Sequence, residues 1–233
     1  MDRGSSSRSP LYSSPFPEWA EFIPSHHEMS RGLLYFFVGS AVLYGAYQKK
    51  LFPKPIARVV GKFLFWPTLP ITLALRYGNL FTQVDRHLIL GTAPVGFLGH
   101  PKRLYSQGVR GVVNMCTEYK GPENYYNDLG ITQLRLPTVD HFEPSLDFMK
   151  DAVDFIKSYA KKGEKCYVHC KAGHGRAAAI ALCWTIYSNP ELSAEDCNKL
   201  LSSKRKVRST LFKQPNIKAF KEWVDQSNKA TRK

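Results

Sequence analysis

The stretch that decides the fold is Cys166-Tyr-Val-His-Cys170-Lys-Ala-Gly-His-Gly-Arg176-Ala-Ala-Ala-Ile-Ala-Leu-Cys-Trp-Thr-Ile-Tyr187. Its first residues, Cys166–Val168, form a short apolar run of the kind found in a fully buried strand. Its last dozen, Arg176–Tyr187, are rich in alanine and read as a helix. Between them lie two glycines within three residues, so the backbone can curl and aim several N–H groups at one point. The start of the helix adds its own partial positive charge. A strand, a tight loop and a helix in this order make a cradle for an anion. Arg176 can return over that loop and hold two oxygens at once. A thiol at the floor, Cys170, is favoured there as the thiolate, the nucleophilic form.

Working outward, the flanking segments repeat the alternation. His87–Leu90 is an apolar run that ends at Gly91, and Pro101–Ser106 reads as a short helix closed by Gly108. Gly111–Met115 reads as a buried strand, followed by a polar loop with Gly and Pro. Ile131–Leu136 alternates apolar and polar residues, as a half-buried strand does. Across Ser145–Lys162, the positions Leu146, Met149, Val153, Ile156 and Ala160 recur at helical spacing, with Gly163 as the stop. Two more helices are predicted near 193–203 and 214–226. Strands alternating with helices predict an α/β fold, a mainly parallel sheet flanked by helices.

Beyond the loop, His87-Leu-Ile-Leu-Gly-Thr-Ala-Pro94, Gly108-Val-Arg-Gly-Val-Val-Asn114, Thr117-Glu-Tyr119 and Leu136-Pro-Thr-Val-Asp140 complete a pattern. With His169-Cys-x5-Arg176, residues 83–225 resemble the cysteine-dependent dual-specificity phosphatases, and among them the mitochondrial phosphatidylglycerophosphate phosphatases. The resemblance implies that Cys170 forms a phosphocysteine and that Arg176 and the loop residues Lys171, Ala172, Gly173, His174 and Gly175 bind the phosphate. It implies Asp140 as general acid, with Glu143 and then Asp147 as fallbacks, and His169 as a support for the loop. It implies no metal and no cofactor. Lys171 and His174 add positive charge to the loop, which fits a phospholipid monoester. One residue departs from the pattern. Ala177 stands where the family usually has Ser or Thr, so slower hydrolysis of the phosphoenzyme is expected.

The N-terminal third has another texture. Residues 1–31 are rich in Ser and Pro and read as a disordered tail. Gly32–Tyr47 carries no charge. Its sixteen residues would span about 24 Å as a helix, against a bilayer core of about 30 Å. It is expected to associate with a membrane, as a short span or within the interface. Phe63–Leu75 is also apolar, but Pro67 and Pro70 are expected to break a helix there. The expected domains are thus the tail at 1–31, a membrane-associated segment at 32–80 with a basic flank, the phosphatase domain at 81–228, and a basic tail at 229–233.

Charge follows the same division. The 233 residues carry 33 Lys and Arg against 19 Asp and Glu, a net of +14. Nine basic and four acidic residues up to position 80 give +5. Positions 81–203 hold fourteen and thirteen, giving +1, and positions 204–233 hold ten and two, giving +8. A nearly neutral centre without a nucleic-acid-binding motif argues against nucleic acid as the partner, and an acidic membrane surface fits better. An odd count of five cysteines argues against a secreted disulfide scaffold. The resemblance implies the mitochondrial inner membrane, and the weak import signal makes the endoplasmic reticulum membrane the alternative. A phosphorylated lipid is the expected substrate. The competing readings are a phosphatase acting on phosphoproteins and a membrane-tethered phosphate-binding pseudophosphatase.

Overall fold

The computed structural model describes residues 26–231. The Ser/Pro-rich tail therefore lies outside the described residues up to position 25, as do the last two residues of the basic tail. Eight helices and five strands follow in the described residues: α1 His26–Gln48, α2 Lys54–Leu75, β1 Phe81–Gln83, β2 Leu88–Gly91, α3 His100–Ser106, β3 Val109–Cys116, α4 Glu123–Asp128, β4 Thr132–Thr138, α5 Leu146–Ala160, β5 Lys165–His169, α6 Arg176–Ser188, α7 Ala194–Lys204 and α8 Pro215–Thr231.

The strands form one sheet in the order β1-β2-β5-β3-β4. Only the β1–β2 pair is antiparallel; β2, β3 and β4 join parallel partners, with β5 between β2 and β3. The predicted central strand is thus central. Side chains alternate across it. Leu88, Leu90, Val113, Met115, Cys166 and Val168 enter the larger core, under α5 and α6. Ile89, Val112 and Tyr167 face the other way, with Leu104 of α3 and Tyr126 of α4. Helix α6 is buried from Arg176 through Ile186. Its run of alanines lets it lie against the sheet under α5, α7 and α8.

Two elements are absent from the sequence reading. The polar loop after β3 contains helix α4, and strand β1 carries no periodic signal because it is only three residues long. Helix α8 continues to Thr231, past the expected domain end at 228.

The chain divides into two compact units, one ending at Ala46 and one beginning at Tyr47. In the first, α1 begins at His26, inside the segment expected to be disordered, and its Leu33, Leu34, Tyr35, Val38 and Val42 are exposed. In the second, α2 is part of the same unit as the sheet, so the expected boundary at 80 falls within it. Pro67 and Pro70 do not break α2. They deprive the carbonyls of Phe63 and Trp66 of partners, and all four residues are exposed, so those carbonyls sit on the open side of the helix. The other side is closed. Ala57, Gly61, Phe65 and Leu69, four residues apart in turn, are buried.

Candidate active site

The loop Cys170–Gly175 leaves β5 at His169 and enters α6 at Arg176. Gly173 shows why the sequence needs glycine there. Its φ is +64°, and a Cβ would lie 2.5 Å from the Gly91 carbonyl oxygen. The loop is held from behind. Arg205 donates from Nε to the Gly173 carbonyl and from Nη2 to the Ala172 carbonyl, each at 3.1 Å. Its Nη1 donates to Thr82 Oγ1 at 2.8 Å and to the Asn79 carbonyl. In a trans peptide, C=O and N–H point oppositely. Carbonyls drawn outward to Arg205 therefore turn the amides of Gly173 and His174 the other way. Lys171 O accepts from Ala93 N at 3.0 Å and ties the loop to the segment after β2.

Cys170 lies in this loop with only 4% of its surface exposed. The five cysteines are free thiols. His169, fully buried, stacks on Tyr167 at 5.6 Å, and its Nδ1 lies 3.3 Å from the Cys170 carbonyl oxygen. Burial, opposed by that contact, brings its pKa down to about 3, so the imidazole is neutral.

Arg176 is fixed by three groups. Its Nη1 and Nη2 pair with the two Glu118 carboxylate oxygens at 2.9 and 2.6 Å. Nη1 also donates to the Thr138 carbonyl at 2.8 Å, and Nη2 lies 2.9 Å from Asp140 Oδ1. Nε is buried and has no partner among the described residues. The guanidinium is thus oriented through its tips and keeps one donor for a ligand.

Glu118 was not singled out in the sequence beyond its place in a motif. It reaches Arg176 from the loop after β3, 58 positions away. That loop is shaped by Asn114, which donates to the Tyr119 carbonyl at 3.0 Å and accepts from Cys116 N at 2.9 Å. Arg205 belongs to the basic stretch at 204–208, counted in the sequence only as flank charge, yet it is buried. A local run of charge carries no signal for which member turns inward.

The expected acid, Asp140, follows β4 and meets Arg176. Burial pushes its carboxyl up, but Arg176, His141 and the His141 backbone N–H outweigh this and hold it below the usual range. The fallbacks are elsewhere. Glu143 Oε1 accepts from Asn216 N at 2.7 Å and Ile217 N at 3.3 Å, so it caps α8. Asp147 is exposed in the first turn of α5.

The two expected basic binders sit at the edges. Lys171 turns its ammonium to α2, onto Thr68 Oγ1 and, at 3.5 Å, the Leu64 carbonyl. His174 Nδ1 meets the Lys206 carbonyl oxygen at 3.2 Å. Helix α2 also closes on the Glu118 loop, where Phe65 stacks on Tyr119 at 5.0 Å.

The description "Dual specificity phosphatase, catalytic domain" matches residues 97–223. The chain belongs to the dual-specificity phosphatases. Among relatives of this phosphatase is a phosphatidylglycerophosphate phosphatase of Arabidopsis thaliana, 36% identical over 54% of the chain and 58% of the relative's length. The phosphatidylglycerophosphatase and protein-tyrosine phosphatase 1 of Homo sapiens is 30% identical over 72% of the chain and 87% of its own. A crystal structure of PTPMT1 in complex with PI(5)P aligns at 26% identity with a TM-score of 0.57, over 64% of the chain and 99% of that structure. The phosphatase fold predicted from the loop and its neighbours is therefore the fold observed. The matched structure accounts for about two thirds of the chain.

Proposed function

We propose that this phosphatase uses Cys170 to hydrolyse the terminal monoester of phosphatidylglycerophosphate at an acidic membrane surface. The observation that carries the chemistry is the arrangement of Arg176 around a buried thiol, with both tips oriented by Glu118, Thr138 and Asp140 and Nε left for substrate. The Cys170 thiolate attacks phosphorus as the P–O ester bond breaks, and the leaving oxygen takes the proton of Asp140. Water then attacks phosphorus, its proton returns to Asp140, and the S–P bond breaks. Loop amides and Arg176 hold the equatorial oxygens throughout. The ion pair to Arg176 keeps Asp140 ionised; a phosphate dianion that takes over the guanidinium frees the carboxyl to carry a proton. The second step has no hydroxyl at Ala177 to assist it, and it limits turnover.

The lipid reading is supported by the activities named for the relatives and by α2. Ile56, Val59, Phe63 and Trp66 form an exposed apolar row opposite the buried one. Lys54, Arg58 and Lys62 lie on the same helix, and no acid occurs between positions 29 and 84. Helix α2 is long and apolar enough to cross a bilayer. Its closed face against the catalytic domain favours lying in the interface instead.

Cys170→Ser is the first test: phosphate release from an aryl phosphate should disappear, and surviving activity would overturn the mechanism. Mixed micelles holding short-chain phosphatidylglycerophosphate, compared with phosphotyrosine peptides, test the substrate. A large preference for peptides would replace the lipid with phosphoproteins. Location in the mitochondrial inner membrane is tested by fractionating cells that express the tagged chain; recovery in endoplasmic reticulum would correct it.

A further inference from the structure

Beside the catalytic loop, residues 205–208 run as an extended segment from the end of α7. Arg205 and Val207 are buried and anchor it, while Lys206 is exposed and Arg208 half-buried. Arg208 N donates to the His174 carbonyl at 3.1 Å. Its guanidinium tip lies 3.6 Å from where a Cβ on Gly175 would stand, so it reaches the last residue of the loop. Arg76, just past α2, donates to the Lys206 carbonyl at 3.4 Å, the same oxygen that His174 Nδ1 meets at 3.2 Å. Arg76 and Arg208, from two elements, thus approach His174, and the exposed Lys206 supplies the carbonyl that Arg76 and His174 share.

No carboxylate lies within ion-pairing distance of Arg76, Lys206 or Arg208 among the described residues. Arg176, two positions after His174, is by contrast paired with both Glu118 and Asp140. The field of the cluster is also felt by its neighbour. Burial first, then Arg76, Arg208 and Lys206 hold His174 below its usual pKa against the Lys206 contact. Positive charge left unneutralised at the rim of a phosphate loop serves an anion that arrives with the substrate.

We infer that Arg208, with Lys206 and Arg76, forms a second anion subsite that takes a phosphate one glycerol away from the scissile monoester. The inference rests on the phosphatase reading above and deepens it. The loop binds the monoester that Cys170 attacks, and the rim binds a second phosphate that is not cleaved. In a glycerophospholipid that second group is the phosphodiester. A soluble glycerol bisphosphate presents the same chemistry without acyl chains. A guanidinium suits the task because it offers two parallel donors to two phosphate oxygens.

The experiment compares kcat/KM on short-chain phosphatidylglycerophosphate, on glycerol bisphosphate and on 4-nitrophenyl phosphate, in the full chain. Arg208→Ala should lower the ratio of each two-phosphate substrate to the aryl phosphate by about ten-fold, the size of one charge-assisted hydrogen bond. The loss should appear mainly in KM. Arg208→Lys, which keeps the charge but not the fork, should fall between, and it serves if the alanine variant fails to fold. Lys102→Ala removes the same charge from an exposed position on α3 and should leave the ratio alone. A ratio that falls for the lipid only would make Arg208 a general bilayer contact and overturn the subsite, as would an unchanged ratio. If the wild type ignores the lipid but hydrolyses glycerol bisphosphate in an Arg208-dependent way, the subsite stands and the lipid assignment falls.

Discussion

Helices α2 and α6 are both apolar and both border the catalytic loop, yet they are covered differently. Every residue of α6 from Arg176 to Ile186 is buried by the protein itself. On α2 only Ala57, Gly61, Phe65 and Leu69 are, and Ile56, Val59, Phe63 and Trp66 stand exposed on the opposite side. An apolar helix in a sequence announces that something must cover it, not what does. For α6 the cover is the rest of the domain. For α2 one face is covered by the Glu118 loop and Lys171, and the other is offered outward.

The largest expected effect tests the inner helix. Ala181→Asp places an unpaired carboxylate where nothing is exposed and should destabilise the protein by more than about 4 kcal/mol. Thermal unfolding followed by circular dichroism would read this as loss of the folded state. A folded variant with a near-native melt would mean that α6 is not enclosed. Next in size, Phe65→Ala removes the ring that stacks on Tyr119 and should cost about 3 kcal/mol. The same variant should lower activity, because the Tyr119 side of the site loses its wall. If stability falls while kcat/KM is untouched, α2 holds the fold without shaping the site.

Glu118→Ala leaves the buried Arg176 with Asp140 as its one remaining carboxylate. About 3 kcal/mol of stability should go, with catalysis falling alongside. The measurement is chemical denaturation beside aryl-phosphate turnover. A separate effect, spread over several pH units, comes from protonation. His169 is neutral in the folded protein down to about 3, whereas the unfolded chain binds its proton near 6.5. The unfolded state therefore takes up the proton first, and stability should fall as pH drops from 6.5 toward 3. His169→Asn should flatten that slope. The smallest effect tests the outer face. Phe63→Ser should change stability by less than about 0.5 kcal/mol but weaken sedimentation with vesicles containing anionic lipid. If it unfolds the protein instead, the exposed row of α2 has a protein cover and the contrast with α6 disappears.

Local signals made parts of this molecule readable in advance. The 3.6-residue spacing of Leu146, Met149, Val153 and Ile156 announced α5, and three of those four are buried. The glycine spacing announced the loop. Strand β5 was legible because a strand covered on both faces is apolar throughout. Other features left no local trace. Pro67 and Pro70 announced a break, but their freed carbonyls lie on the open side of α2 and the helix continues. Lys171 looked like a phosphate ligand because it belongs to the loop, and a flexible four-carbon stem lets it turn to Thr68 instead.

The sequence by itself determined the alternation of β2 to β5 with α3 and α5 to α8, the loop with Cys170 and Arg176, and the placing of positive charge in the flanks. Those follow from periodicity, from the freedom of glycine and from counting, all of which act between near neighbours. The tertiary structure alone decided which charges pair. Glu118 and Arg176 are 58 positions apart and Arg205 holds carbonyls 32 and 33 positions away. Such partners are chosen by the register of the sheet and the seat of each helix, because a buried charge is stable only where the packing brings an opposite charge or a carbonyl to it.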